Sequence, residues 1–210
     1  MKTALLFDLD GTLLDTLEDL HDAVNHTLVQ FDYPQRTLEE VRQFVGNGAG
    51  RLIALAVPEG ADPAPVLAAF QEYYRDHCQI KTGPYPGIMD ALRVLEASYP
   101  LAIVSNKPDA AVKTLCAELF PGIFARGEDV DCPRKPDPAM VFKAMEAIGA
   151  ERCIYVGDSE VDIATARNAG VPCVSVTWGF RDEKELKAAG GSLFCHTAEE
   201  LIETIEKIIG

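Results

Sequence analysis

The stretch Leu5-Leu6-Phe7-Asp8-Leu9-Asp10-Gly11-Thr12-Leu13-Leu14-Asp15-Thr16 decides the fold. An apolar run, Ala4 to Phe7, stops at two aspartates flanking one leucine, and Gly-Thr follows at once. A short apolar run closed by a turn signal reads as a strand buried on both faces, as in parallel sheets. Carboxylates at its carboxyl end fall where open α/β sheets hold their ligands. Residues two apart on a strand share a face, so Asp8 and Asp10 set out on the same side. Gly11 lets the chain turn sharply and lets backbone N–H groups approach an anion.

Downstream, Leu17, Leu20, Val24, Leu28 and Phe31 recur at helical spacing, with Asp15 or Thr16 placed to cap and Tyr33-Pro34 to stop the helix. Further helical segments are expected over Thr37 to Phe44, Ala49 to Val57 and Pro63 to about Gln79, with no strand pattern between Asp15 and Ile80. Residues 16–80 therefore read as a small helical domain inserted after the first strand. Its exit, Lys81-Thr82-Gly83-Pro84-Tyr85-Pro86-Gly87, is a stiff linker suited to a hinge.

From Gly87 onward helix and strand alternate. Helices are expected over 88–97, 110–119, 139–148 and 161–169, the last closed by Gly170. Strands are expected over 101–104, 123–125, 153–156 and 172–176. Thr197-Ala198-Glu199-Glu200 reads as a capping box, and Leu201, Ile202, Ile205, Ile208 and Ile209 share one helix face. Such alternation implies a parallel sheet covered by helices. The expectation is thus an α/β fold: a Rossmann-like parallel-sheet core from residues 1–15 and 81–210, helices on both faces, plus a small all-helical cap.

A chain of 210 residues buries roughly 70% of its unfolded surface on folding. With 48% hydrophobic and 25% charged residues, it has the composition of a soluble protein. A net charge of -14 argues against nucleic acid or an anionic membrane as partner, and no apolar run reaches membrane-span length. Met1-Lys2-Thr3 leads straight into the strand without a signal-peptide pattern. The six cysteines are scattered, with no Cys-x-x-Cys, and read as reduced structural thiols of a cytoplasmic protein. The acidic balance means that an anionic substrate would need a locally positive site.

Three apolar runs end in polar groups: Asp8 and Asp10, Ser105-Asn106, and Asp158. Lys135 lies in Pro133-Arg134-Lys135-Pro136-Asp137-Pro138, where prolines fix the backbone. Gly157-Asp158-Ser159-Glu160-Val161-Asp162 sets two acids four apart, on one face at a helix start. Taken singly, these are an acidic turn, an ordinary turn, a surface lysine and a helix cap. Their order, each at a strand end or in a pinned loop, makes coincidence improbable.

The set resembles the four motifs of the haloacid dehalogenase superfamily: Phe7-Asp8-Leu9-Asp10-Gly11-Thr12, Ser105-Asn106, Lys135, and Gly157-Asp158 with Asp162. The match spans the chain, and a helical insertion after the first motif is that family's small-cap arrangement. Val45-Gly46-Asn47-Gly48-Ala49-Gly50 and Val176-Thr177-Trp178-Gly179-Phe180 are similar to its phosphoglycolate phosphatase branch. The resemblance implies Asp8 as nucleophile and Asp10 as acid and base. Leu9, Ser105, Asn106 and Lys135 would hold the phosphate. Mg²⁺ would rest on Asp8, the Asp10 carbonyl and Asp158, with Asp162 in support. Residue chemistry agrees, since two carboxylates ~4 Å apart repel by about 4 kcal/mol at an effective dielectric of 20. A divalent cation relieves that, and an oxygen-only ligand set suits Mg²⁺.

The expected function is Mg²⁺-dependent hydrolysis of a small phosphomonoester, phosphoglycolate foremost, through an aspartyl-phosphate. A dehalogenase needs no acid such as Asp10, and a phosphonatase needs a cap lysine, whereas residues 4–80 contain none. A phosphomutase of the β-phosphoglucomutase type shares all four motifs and differs in how well its cap excludes water. A phosphoacceptor switch domain needs neither Asp10 nor a cap. In the cap, Gly46-Asn47-Gly48 and Arg51 could meet a substrate carboxylate, although the glycines could equally just join two helices beside a solvated arginine. The four histidines, Trp178 and Phe180 read as packing or solvated groups.

Overall fold

The computed structural model describes residues 2–210. In chain order the first elements are β1 (Thr3–Phe7), β2 (Leu14–Asp15), α1 (Leu17–Gln30), α2 (Leu38–Phe44), α3 (Gly48–Ala56) and α4 (Pro63–His77). There follow β3 (Gly83–Pro84), α5 (Ile88–Glu96), β4 (Leu101–Pro108), α6 (Asp109–Leu119), β5 (Phe124–Glu128) and α7 (Ala139–Ala147). The chain ends with β6 (Arg152–Gly157), α8 (Glu160–Ala169), β7 (Cys173–Val176), α9 (Glu183–Ala188), β8 (Phe194–Cys195) and α10 (Ala198–Ile209). It divides into two compact units, Met1–Leu13 with Pro84–Gly210, and Leu14–Gly83.

The first unit is an α/β sheet. Six strands lie in the order β5-β4-β1-β6-β7-β8, every neighbouring pair parallel. Numbered among themselves, these six run 3-2-1-4-5-6, the order of a doubly wound sheet. β1 is central, with Leu5 opposite Leu101 of β4 on one side and Ile154 of β6 on the other. Its Ala4 and Leu6 join Ala102, Val104, Cys153 and Tyr155 in a core cluster with Met140, Val141 and Ala144 of α7 and Ala166 of α8. The alternate residues Leu5, Phe7, Ile103 and Val156 are fully buried as well, so both faces are covered. A strand enclosed in this way has no polar face to offer, which is why β1 reads as a continuous apolar run.

The second unit is helical: α1 packs on α2 and α4, and α3 on α2 and α4. The α1 stripe is Leu20, Ala23, Val24, Thr27 and Leu28, all buried. Asp19, also buried, accepts hydrogen bonds from the backbone N–H groups of Lys81 and Thr82, tying the start of α1 to the exit strand. Leu14–Asp15 and Gly83–Pro84, the segments at which the chain enters and leaves this unit, pair as a two-stranded ribbon.

Several expectations change in detail. β4 does not stop before Ser105 but runs on to Pro108, because its outer neighbour β5 extends to Glu128 and pairs there after a register shift. β2, β3 and β8 are each two residues long, too short to leave a periodic pattern. α9 was not expected, yet Asp182 and Glu185 form a complete capping box at its start. The capping box expected at Thr197 is half formed: its hydroxyl accepts from Glu200 N–H, but the Glu200 carboxylate turns to the N–H of His196. Asp158 and Asp162 do not share a helix face, since α8 begins at Glu160 and Asp158 precedes its cap, Ser159. All six cysteines are free thiols. Among the described residues, no helix is long and apolar enough to cross a membrane.

Candidate active site

The strand order reverses beside β1, and the carboxyl ends of β1, β4 and β6 meet there, where doubly wound sheets bind ligands. Asp8 follows β1, Asp158 follows β6, and Asp162 lies in the first turn of α8. These three carboxylates are buried, and their oxygens approach within 4.8 Å of one another. Lys135, in the loop before α7, lies among them at 2% exposure. Its ammonium reaches Asp8 Oδ1 at 2.8 Å, Asp162 Oδ1 at 2.7 Å and the Tyr155 hydroxyl at 3.1 Å. Two of its hydrogen bonds go to Tyr155 and Asp162, and Asp8 faces it as an ion pair.

Three acids against one lysine leave the cluster short of positive charge. Burial first, and then Asp162, holds the Asp8 carboxyl well above the usual carboxylate range, with Lys135 opposing only in part. Burial and Asp162 likewise push Asp158 up to about 7. For Lys135, burial works against the ammonium, but Asp162 and Asp8 outweigh it and its pKa is raised well above normal. An all-oxygen donor set with unneutralised negative charge fits a hard divalent cation.

Each acid is oriented separately. Asp8 Oδ1 accepts from Leu9 N–H at 2.7 Å and forms an ion pair with the Lys135 ammonium, which leaves Oδ2 without a hydrogen bond among the described residues. Asp158 takes Thr12 Oγ1–H on Oδ1 at 3.2 Å and Phe180 N–H on Oδ2 at 2.7 Å. Asp162 Oδ2 completes a capping box with the N–H and hydroxyl of Ser159, while Oδ1 faces Lys135 and Tyr155. Both Asp162 oxygens are therefore committed to protein donors.

The loop after β7 closes over Asp158. Trp178 Nε1–H donates to Thr12 O at 3.0 Å, bringing Gly179 against the Gly11 turn. A Cβ at Gly179 would overlap Gly11 O and the Asp158 side chain, so only glycine allows this approach. Gly11 itself holds φ 86°, a conformation that disfavours any other residue.

β4 supplies its residues alternately, as a strand must. Asn106 points to one side, where its amide donates to Lys135 O at 3.1 Å and accepts from Lys135 N–H at 2.6 Å. This reciprocal pair, rather than the prolines alone, fixes the Lys135 loop. Ser105 and Lys107 point to the other side. Ser105 Oγ–H donates to Asp10 Oδ2 at 3.3 Å, and Lys107 Nζ lies 2.9 Å from Asp10 Oδ1, an ion-pair separation off the hydrogen-bond direction.

The structure thus brings Asp8, Asp10, Leu9, Ser105, Asn106, Lys135, Asp158 and Asp162 together at one sheet edge. Gly46, Asn47, Gly48 and Arg51 belong to the helical unit, where Asn47 stands at the N-cap position of α3 without a side-chain cap bond, Gly46 and Gly48 take positive φ, and Arg51 is exposed in the first turn. Sequence reasoning missed Tyr155, Lys107, Thr12 and the Phe180 amide. Lys107 is aligned with Ser105 only because β4 runs on to Pro108, for which Asn106-Lys107-Pro108 carried no strand signal. Tyr155 carried none.

The sequence profile of the haloacid dehalogenase-like hydrolases matches residues 5–176. The chain belongs to that family. A phosphoglycolate phosphatase of Pseudomonas putida is 37% identical over 203 residues, covering 90% of this chain and 74% of the relative. One from Mesorhizobium japonicum is 34% identical over 222 residues, covering 99% and 97%. A solved structure from Lactobacillus delbrueckii subsp. bulgaricus superposes with a TM-score of 0.92 at 40% identity, covering 98% of this chain and 99% of that one. The chain is a phosphatase, a phosphoric monoester hydrolase similar to the phosphoglycolate phosphatases.

Proposed function

We propose that the enzyme hydrolyses a small phosphomonoester, phosphoglycolate foremost, through an aspartyl-phosphate on Asp8. The observation that carries this reading is the buried Asp8 carboxylate, held by Lys135 and Leu9 N–H on one oxygen with the other left to react. Asp8 Oδ2 attacks phosphorus while the ester oxygen departs with a proton from Asp10. Asp10 then takes a proton from the water that attacks the phosphorus, inorganic phosphate leaves, and Asp8 is regenerated. Phosphorylation removes the Asp8 carboxylate charge, so Lys135 turns one N–H from Asp8 to a phosphoryl oxygen. The Ser105 hydroxyl and Asn106 N–H hold the others as charge spreads over them.

Mg²⁺ would be held by Asp8, Asp158 and the Asp10 carbonyl, and supplies charge neutralisation at the phosphoryl group. Asp162 acts behind it, holding Lys135 and Ser159. Residues 16–80 serve as a cap on the 81–87 linker and exclude water during transfer. Phosphoglycolate is favoured because relatives that align over most of the chain bear that name. Arg51 in an α3 turn whose N–H groups already attract anions suits a substrate carboxylate.

Mixing enzyme with ³²P-labelled phosphoglycolate and quenching in acid tests the mechanism. Wild type should carry label that hydroxylamine releases, and Asp8→Asn should carry none and turn over nothing while melting normally. A wild-type rate in Asp8→Asn would end the covalent reading.

A further inference from the structure

Lys107 has no part in the mechanism above, yet its side chain is 6% exposed and lies 2.9 Å from Asp10 Oδ1. A charged lysine leaves water at a cost, and here its carboxylate partner is the one read as the proton carrier. We propose that Lys107 is a positioning residue that decides which oxygen of Asp10 handles the proton. The inference rests on Asp10 acting as acid and base.

The argument starts with β4. The register against β5 shifts between Val104 and Pro108, an irregularity that re-aims side chains near active sites. Within the shifted stretch, alternation still sends Ser105 and Lys107 to one side and Asn106 to the other. The Ser105 oxygen accepts from Lys107 N–H at 3.1 Å and donates to Asp10 Oδ2 at 3.3 Å. Asp10 is thereby gripped on both oxygens by one three-residue segment, with an ammonium on Oδ1 and a hydroxyl on Oδ2. An ammonium has no acceptor, so the oxygen it faces is a poor place for a second proton. The geometry therefore assigns proton transfer to Oδ2. When the Ser105 hydroxyl turns to a phosphoryl oxygen, Oδ2 is released toward the ester oxygen while Lys107 keeps Oδ1 in place. A carboxyl misplaced by one ångström loses most of its acid function, because proton transfer needs hydrogen-bond contact with the departing oxygen.

The test varies the leaving group. p-Nitrophenoxide departs without a proton, whereas the alkoxide of phosphoglycolate does not. Lys107→Met keeps the length of the side chain and removes its charge, and its melting curve checks the fold. We expect kcat/KM on phosphoglycolate, which reports phosphoryl transfer to Asp8, to fall about 10- to 100-fold, a part of the ~10²–10⁴ that a positioned acid supplies. kcat/KM on p-nitrophenyl phosphate should fall less than about threefold, whereas any loss of the base role, exercised after the leaving group has gone, lowers kcat on both substrates alike. Lys107→Arg, which keeps the charge, should recover much of the loss. Asp10→Asn run beside it should show the same leaving-group dependence more strongly. If Asp10→Asn shows that dependence but Lys107→Met lowers kcat/KM of both substrates equally or leaves both unchanged, the Lys107 role is wrong and the Asp10 role stands. If Asp10→Asn shows no dependence, the acid role of Asp10 falls, and the Lys107 proposal falls with it. A Lys107→Met protein that fails to fold transfers the test to Lys107→Gln, judged by the same criteria.

Discussion

Replacing Tyr155 by phenylalanine should unsettle the site without touching substrate. Tyr155 is fully buried in the middle of β6, and its hydroxyl accepts from Lys135 at 3.1 Å and donates to Asp162 at 3.2 Å. Phenylalanine fills the same space less one oxygen, so no cavity opens. What remains is a buried ammonium with one N–H facing carbon, and an Asp162 oxygen with one donor fewer. Hydrogen bonds to charged groups contribute about 1.5–3 kcal/mol each, and two long ones shared by one oxygen put the loss at about 2–3 kcal/mol. For a chain of this size that lowers Tm by ~4–12 °C. Since Lys135 also aims Asp8, kcat should drop roughly tenfold for each 1.4 kcal/mol of misplacement carried into the transition state. Thermal unfolding by circular dichroism and steady-state hydrolysis of p-nitrophenyl phosphate measure the two effects. A Tm within 1 °C of wild type with unchanged kcat would refute the view that Lys135 depends on a third acceptor.

Three further outcomes are expected. Mg²⁺ should raise the Tm of chelator-treated protein by ~5–11 °C at a hundredfold excess over its Kd, and Asp158→Asn should abolish the rise. Ca²⁺ should protect the fold yet support little turnover, because its looser shell misplaces Asp8. Gly179→Ala should cost about 1–3 kcal/mol of stability by forcing Gly11 and Asp158 apart, read by urea unfolding, and should weaken Mg²⁺ binding in calorimetry. Arg51→Ala should raise KM for phosphoglycolate well above its effect on p-nitrophenyl phosphate, and equal losses would remove the carboxylate contact.

What could be read from the sequence was whatever interrupted a pattern. Asp8, Asp10, Asp158 and Ser105 each break an apolar run, and a parallel sheet makes such breaks coincide at one edge. Asp162 and Lys135 were legible only as members of that set. Tyr155 breaks nothing, since an aromatic residue inside a strand is what a strand prefers, and only its hydroxyl marks it. The extension of β4 through Asn106, Lys107 and Pro108 was hidden for the opposite reason: these are poor strand formers, held extended by β5. Reading Lys107 as part of a strand would have revealed its alignment with Ser105.

The place of β1 has a consequence for synthesis. The middle strand of the sheet is made first, but its neighbours β4 and β6 begin at Leu101 and Arg152. At roughly 5–20 residues per second, a ribosome needs about 8–30 s to travel from one to the other side of that pairing. Until β4 is made, Ala4 to Phe7 is an apolar segment with both hydrogen-bonding edges open, and one edge stays open until β6 follows, the kind of surface that chaperones hold and that aggregates. The helical block between 14 and 83 contains its own local contacts and can fold in the meantime. Chains stalled near residue 150 should therefore show a protease-resistant helical fragment and a cleavable β1 segment, the latter becoming resistant once β6 has emerged.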